Sequence, residues 1–300
     1  MSVYYAKLPT SRGTRVLSLE PLPDIVDPSH APSGHEAVHC DWSVISVDEP
    51  EPYYALSYVW GNPNIKEYHL ICNGRLMKIT YKIWAAKAVW SKYPSRRLRV
   101  DAICINQDDI PERKQQVTMM GNIYSRAERV AIWVGEATVH SDDFFKLVER
   151  VQAGGKLTIG ECPRPPTNDI DRSQGSDRDF MNHLLDCAAD IVNRSWFIRA
   201  WTFQEIRLTR QATISCGLHV ADIGLFLRTV TDINGTSERR DLCSGMMVII
   251  PFSAPDSSFK LLYRFPALKQ PRAATGPRDK VYSLLSLLPR RCIRLHETRL

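Results

Sequence analysis

Two long apolar runs set the reading of this chain. Residues 54–61 read YALSYVWG and residues 98–107 read LRVDAICINQ, and each run stops at a polar or turn residue. Such runs predict buried strands that deliver side chains to one edge of a sheet. In open parallel sheets that edge is where ligands bind. Shorter strands are predicted at 14–19, 38–47, 129–135 and 212–216. Asn73-Gly74 between apolar residues 69–72 and 76–80 predicts a hairpin. Helices are predicted at 82–93, from an N-cap at Asp109 to about 127, at 180–192, at 196–208 behind Ser195, at 221–233 and at 279–288. Residues 21–36, 154–177 and 235–278 are rich in turn formers and read as loop, mobile insertion and irregular chain.

Strands alternating with helices argue for an α/β fold: a central, mostly parallel sheet with helices on both faces. The N-terminal strands and the hairpin are expected as an antiparallel addition. The expected organisation is residues 1–50 packed on a domain at 51–235, then an irregular extension at 236–300 that looks shortened.

Composition narrows the function classes. Of 300 residues, 44% are hydrophobic and 24% charged, ordinary for a globular protein. The net charge of +6 is scattered, with no basic stripe interleaved with aromatics, so nucleic acid is not an expected partner. The eight cysteines form no Cys-x2-Cys pair and no His-x3-His accompanies them, so no metal site is expected. Thiols inside apolar runs suit a reducing compartment, and a cytoplasmic location is expected. No signal peptide and no membrane span are expected.

Dinucleotide, P-loop and nucleophile-elbow motifs are missing from the sequence, so any chemistry rests on carboxylates and polar groups at the strand edge. Asp101 interrupts an apolar run, where a charge must be paired or face a ligand. Asn106 follows it, as a ligand-facing amide or a turn residue. Trp201 and Glu205 share a helix face. Glu205 has no cation one turn away on that helix; beside an indole its charged form is disfavoured, which suits acid–base work or a cationic ligand. A solvated Glu205, or one paired at a distance, is the structural alternative. Tyr58 and Trp60 offer rings for stacking, or simply fill the core, and Gly61 closes their strand. Glu112 reads as a helix cap.

These segments resemble the fungal heterokaryon incompatibility (HET) domain family. The likeness rests on residues 54–61, 98–107, 112–127 (ERKQQVTMMGNIYSRA), 130–136 (VAIWVGE) and 196–205 (WFIRAWTFQE), with 276–285 (GPRDKVYSLL) matching a segment that usually follows. Val100 stands where the family often has Trp near the aspartate. The resemblance implies non-self recognition after hyphal fusion, with activation triggering cell death through self-association or another incompatibility protein. A weaker likeness to TIR domains lies in ALSY and in Trp201-x3-Glu205. It implies a flavodoxin/TIR-like sheet and a second reading, an NAD glycohydrolase with Glu205 as the catalytic carboxylate. In that reading Tyr58, Trp60, Gly61, Asp101, Asn106 and Trp201 line the ligand site; NAD is a substrate and no cofactor is required. An inactive, shortened remnant is the third reading.

Overall fold

The computed structural model describes residues 5–19, 38–62, 64–65, 68–85, 97–154 and 177–235. In chain order the elements are β1 (Gly13–Leu19), β2 (Val38–Ser46), β3 (Tyr53–Tyr58), β4 (Tyr68–Cys72), β5 (Arg75–Ile79), α1 (Tyr81–Ala85), β6 (Arg97–Arg99) and α2 (Asp101–Cys104). Then come α3 (Ile110–Arg126), β7 (Arg129–Trp133), α4 (Val139–Gln152), α5 (Asp177–Val192), α6 (Ser195–Ile198), α7 (Ala200–Leu208), β8 (Ala212–Cys216), β9 (His219–Asp222) and α8 (Ile223–Gly235). The expected insertion at 154–177 lies almost entirely outside the described residues, as do 236–300 and the helix expected at 279–288.

The chain divides into two units. The first takes Met1–Gly135, Ala200–Ala212 and Ala274–Leu300; the second takes Glu136–Arg199 and Thr213–Ala273.

In the first unit the strands run β5-β4-β2-β1-β6-β3-β7. β6, β3 and β7 are parallel, with Tyr54 opposite Leu98 on one side and Arg129 on the other. β1 is antiparallel to both β2 and β6, β2 is parallel to β4, and β4 and β5 form an antiparallel hairpin. Asn73 and Gly74 make its turn with φ of 50° and 69°, the left-handed pair that a two-residue hairpin requires. The architecture is therefore mixed α/β, and the N-terminal strands are interior members of the sheet. Beside β1, the 98–105 run departs from expectation. It is strand only to Arg99; Val100 is extended, and its carbonyl accepts from Ile103 N at 3.0 Å and Cys104 N at 2.7 Å, closing a helical turn. An apolar run of this length cannot distinguish a buried strand from a buried turn of helix.

Strand alternation divides the packing. Tyr54, Leu56 and Tyr58 point into a cluster with Leu17, Leu70, Leu98 and Trp133. Tyr53, Ala55 and Ser57 point the other way, toward α3 and α7: Tyr53 donates to the Ile123 carbonyl on α3 at 2.5 Å, and Ser57 reaches Glu205 on α7.

In the second unit α4, α5 and α8 pack on one another, and β8 pairs antiparallel with β9. Phe144, Phe197 and Phe226 fill its core, with Phe144 and Phe226 edge-on at 5.3 Å. Helix α4 was not legible in the sequence, because its capping box uses Ser141 in place of Glu or Gln. Ser141 N donates to Thr138 Oγ1 at 3.1 Å, and Thr138 N donates to Ser141 Oγ at 2.7 Å. The helix expected at 196–208 breaks at Arg199, whose ψ is 144°, where the chain passes from one unit to the other. Ser195 is not its cap; Arg194 holds that position without a side-chain capping bond. Residues 219–222, partly expected as helix, form β9, and α8 starts after Asp222, whose side chain accepts from Gly224 N and Leu225 N.

Candidate functional site

The carboxyl ends of the parallel trio β6-β3-β7 carry Asp101 just past β6, Ser57 and Tyr58 on β3, and Trp133 on β7. Helix α7 packs on β3 and buries Thr202, Gln204 and Glu205. Glu205 is 4% exposed and accepts a short hydrogen bond from Ser57 Oγ. Ser57 is itself 1% exposed, so a hydroxyl and a carboxylate meet away from water. A charge buried this way is costly unless hydrogen-bonded, and Ser57 supplies one such bond.

Asp101 belongs to a second polar group on the same face. Its Oδ1 lies 3.0 Å from Arg99 Nη1, and its Oδ2 lies 3.3 Å from the Tyr124 hydroxyl. That hydroxyl is also 3.2 Å from the Leu56 carbonyl, one residue from Ser57. Arg99 continues inward: its Nε donates to Thr14 Oγ1 at 3.0 Å, Thr14 donates to Gln116 Oε1 at 2.8 Å, and Gln116 Nε2 donates to the Gly13 carbonyl at 2.8 Å. Burial works against the Arg99 charge, but Asp101, with Cys104 and two tyrosines, outweighs it and holds the guanidinium above its ordinary pKa. The Tyr53 phenol on this face is pushed up to about 12, chiefly by burial.

A third group sits where β1 meets α2 and α3. Arg15 clasps Glu112 with both nitrogens, at 2.5 and 3.0 Å, and donates to the Cys104 carbonyl at 3.1 Å. Glu112 also accepts from Asn106 N at 2.8 Å, so it does more than cap α3, although its N–H does bond Asp109 Oδ1 at 3.0 Å. These bonds hold the loop that follows Asp101.

The residues singled out in the sequence separate accordingly. Glu205 and Asp101 lie on the α3/α7 face, each with a partner. Trp201, one turn before Glu205, is partly buried. Tyr58 is 3% exposed and packs in the opposite cluster, with partly buried Trp60 against it, so strand alternation turns Tyr58 away from the Glu205 face. Gly61 is exposed at φ 76°, with Lys82 Cγ 3.0 Å from where a Cβ would stand. Asn106 serves its loop: its side chain accepts from Asp108 N at 3.3 Å.

Ser57, Arg15, Arg99, Thr14 and Gln116 were missed. Each is a polar residue at a buried strand or helix position, and one signal was present: Arg15 and Arg99 interrupt apolar runs just as Asp101 does. Charges at such positions demand partners.

A family model described as heterokaryon incompatibility protein (HET) matches residues 53–205, just over half of the chain. The chain is also similar to heterokaryon incompatibility protein 6, OR allele, of Neurospora crassa, at 26% identity over 307 aligned residues. That alignment covers 83% of this chain and 45% of the relative, so the chain spans less than half of that protein's length. No solved structure matches significantly.

Proposed function

The chain belongs to the heterokaryon incompatibility (HET) family, and we propose that it acts as a non-self-recognition module whose activation leads to cell death. The observation that carries this reading is the family match over 53–205, which takes in β3, β6, β7 and the Ser57–Glu205 pair. Switching would come from self-association or from another incompatibility protein in the cytoplasm. Among the described residues no helix is long and apolar enough to cross a membrane.

A second reading is favoured by one feature, the carboxylate of Glu205 held at the carboxyl edge of a parallel trio. In this reading the sheet is TIR-like and the protein cleaves NAD. Glu205 steadies the oxocarbenium-like ribose as nicotinamide departs, and Trp201 and Asp101 orient the substrate.

One experiment separates the two. The chain is expressed in a fungal host and scored for cell death, and the purified protein is incubated with NAD while free nicotinamide is followed. Glu205→Gln keeps an acceptor for Ser57 but removes the charge. Nicotinamide release that vanishes in Glu205→Gln, with the fold intact by circular dichroism, establishes the enzyme. Death without nicotinamide release, unchanged in Glu205→Gln, establishes the recognition module alone. No death and no release overturns both.

A further inference from the structure

The second unit carries a side-chain cluster that plays no part in the proposed function. On α4, His140 and Asp143 are one turn apart; on α5, His183 and Cys187 are one turn apart. The two helices pack against each other, and His140, His183 and Cys187 meet between them, with Asp143 beside His183. Cys187 Sγ lies 3.4 Å from His183 Nε2 and 3.7 Å from His140 Nδ1, and Asp143 Oδ2 lies 3.3 Å from His183 Nε2. The ligand atoms of His140, His183 and Cys187 all fall within 4.8 Å of one another. Cys187 is fully buried and His183 is 8% exposed, while His140 closes the cluster from the solvent side.

The two sulfur–nitrogen separations are those of a coordination shell. With zinc–sulfur bonds of about 2.3 Å and zinc–nitrogen bonds of about 2.0 Å, a tetrahedron sets sulfur–nitrogen edges of about 3.6 Å. The other oxygen of Asp143 is held by Lys146 at 3.1 Å, which leaves Oδ2 for His183.

We propose that His140 Nδ1, a ring nitrogen of His183 and Cys187 Sγ form a three-residue zinc site that clips α4 to α5, with the fourth position taken by solvent and Asp143 orienting the His183 ring. A thiolate with two imidazoles selects zinc over magnesium or calcium. Binding displaces the Cys187 proton to solvent and creates no redox demand. The clip joins residues 47 apart in sequence, so it restrains a long stretch of chain.

The test uses the full chain without a histidine tag, stripped by a chelator and titrated with zinc against a chromophoric competitor. Cobalt(II) is then substituted for absorption spectroscopy. The expected result is one zinc per chain, a raised thermal midpoint, and a cobalt spectrum with intense tetrahedral bands and a thiolate-to-cobalt charge-transfer band. Cys187→Ser removes that band. His140→Ala, an exposed position that the fold tolerates, weakens zinc more than about 10-fold, since even outer-shell losses at metal sites cost about 10- to 100-fold. Submicromolar binding that is absent from the wild-type chain, unchanged in natively folded His140→Ala, or accompanied by a cobalt spectrum without the thiolate band overturns the site.

Discussion

Arg99 and Asp101 show how much one buried charge depends on its neighbour. Their side chains are 0% and 8% exposed, and they lie 3.0 Å apart. Removing one partner leaves the other charge in the interior, which costs about 3–5 kcal/mol. Asp101→Ala is therefore expected to lower the urea midpoint sharply. The double variant Arg99→Met/Asp101→Leu is expected to recover most of that loss, because paired removal leaves no stranded charge. Tyr53 gives a pH dependence of known sign. Its folded pKa of about 12 lies above the ordinary 10.0, so the folded state holds the proton more tightly. Its contribution is fully present below pH 10 and is lost as pH rises through about 12. Denaturation monitored across this window is expected to show falling stability in the wild type, with a smaller slope in Tyr53→Phe.

Caps and turns carry the predictions for elements. Thr138→Ala removes the Ser141 N to Thr138 Oγ1 bond of the α4 capping box, leaves the Thr138 N–H bonded to Ser141 Oγ, and is expected to cost about 1 kcal/mol in urea denaturation. Two glycines with positive φ differ in their surroundings. At Gly74 (φ 69°) an added Cβ meets nothing within 4 Å, so Gly74→Ala carries only the left-handed backbone cost of about 1 kcal/mol. At Gly217 (φ 53°) the Cβ would stand 2.8 Å from Ala137 Cβ and 3.1 Å from Ala137 N. Gly217→Ala must therefore move backbone and is expected to cost clearly more than Gly74→Ala in parallel melts. Element by element, legibility followed local chemistry. The β4–β5 hairpin and the start of α3 were visible because Asn73-Gly74 and Asp109-Ile110-Pro111-Glu112 state their own geometry. β9 was not, because His219–Asp222 owes its strand form to pairing with β8.

For the molecule as a whole, the family match begins at Tyr53, but the first unit's sheet does not. β1 lies beside β6 in the sheet, and Thr14 on it bonds both Arg99 and Gln116. Arg15 on it neutralises Glu112. A fragment restricted to residues 53–205 takes the Gly13, Thr14 and Arg15 partners away from Arg99, Gln116 and Glu112 and opens an edge of β6. It is expected to be insoluble or to lack a cooperative melt, whereas the full chain gives both soluble protein and a cooperative transition.

By itself the sequence determined the strand and helix periods, the tight turns, the family and the two carboxylates at issue, because these are written in short stretches of neighbouring residues. Tertiary structure alone decided which face each polar group takes. It placed Ser57 against Glu205, turned Tyr58 to the other side of β3, matched Arg15 to Glu112 and gathered two histidines and a cysteine from separate helices. The reason is that a charge or ligand set is completed by residues distant along the chain, and no spacing rule within one segment registers a partner that arrives only when the backbone folds.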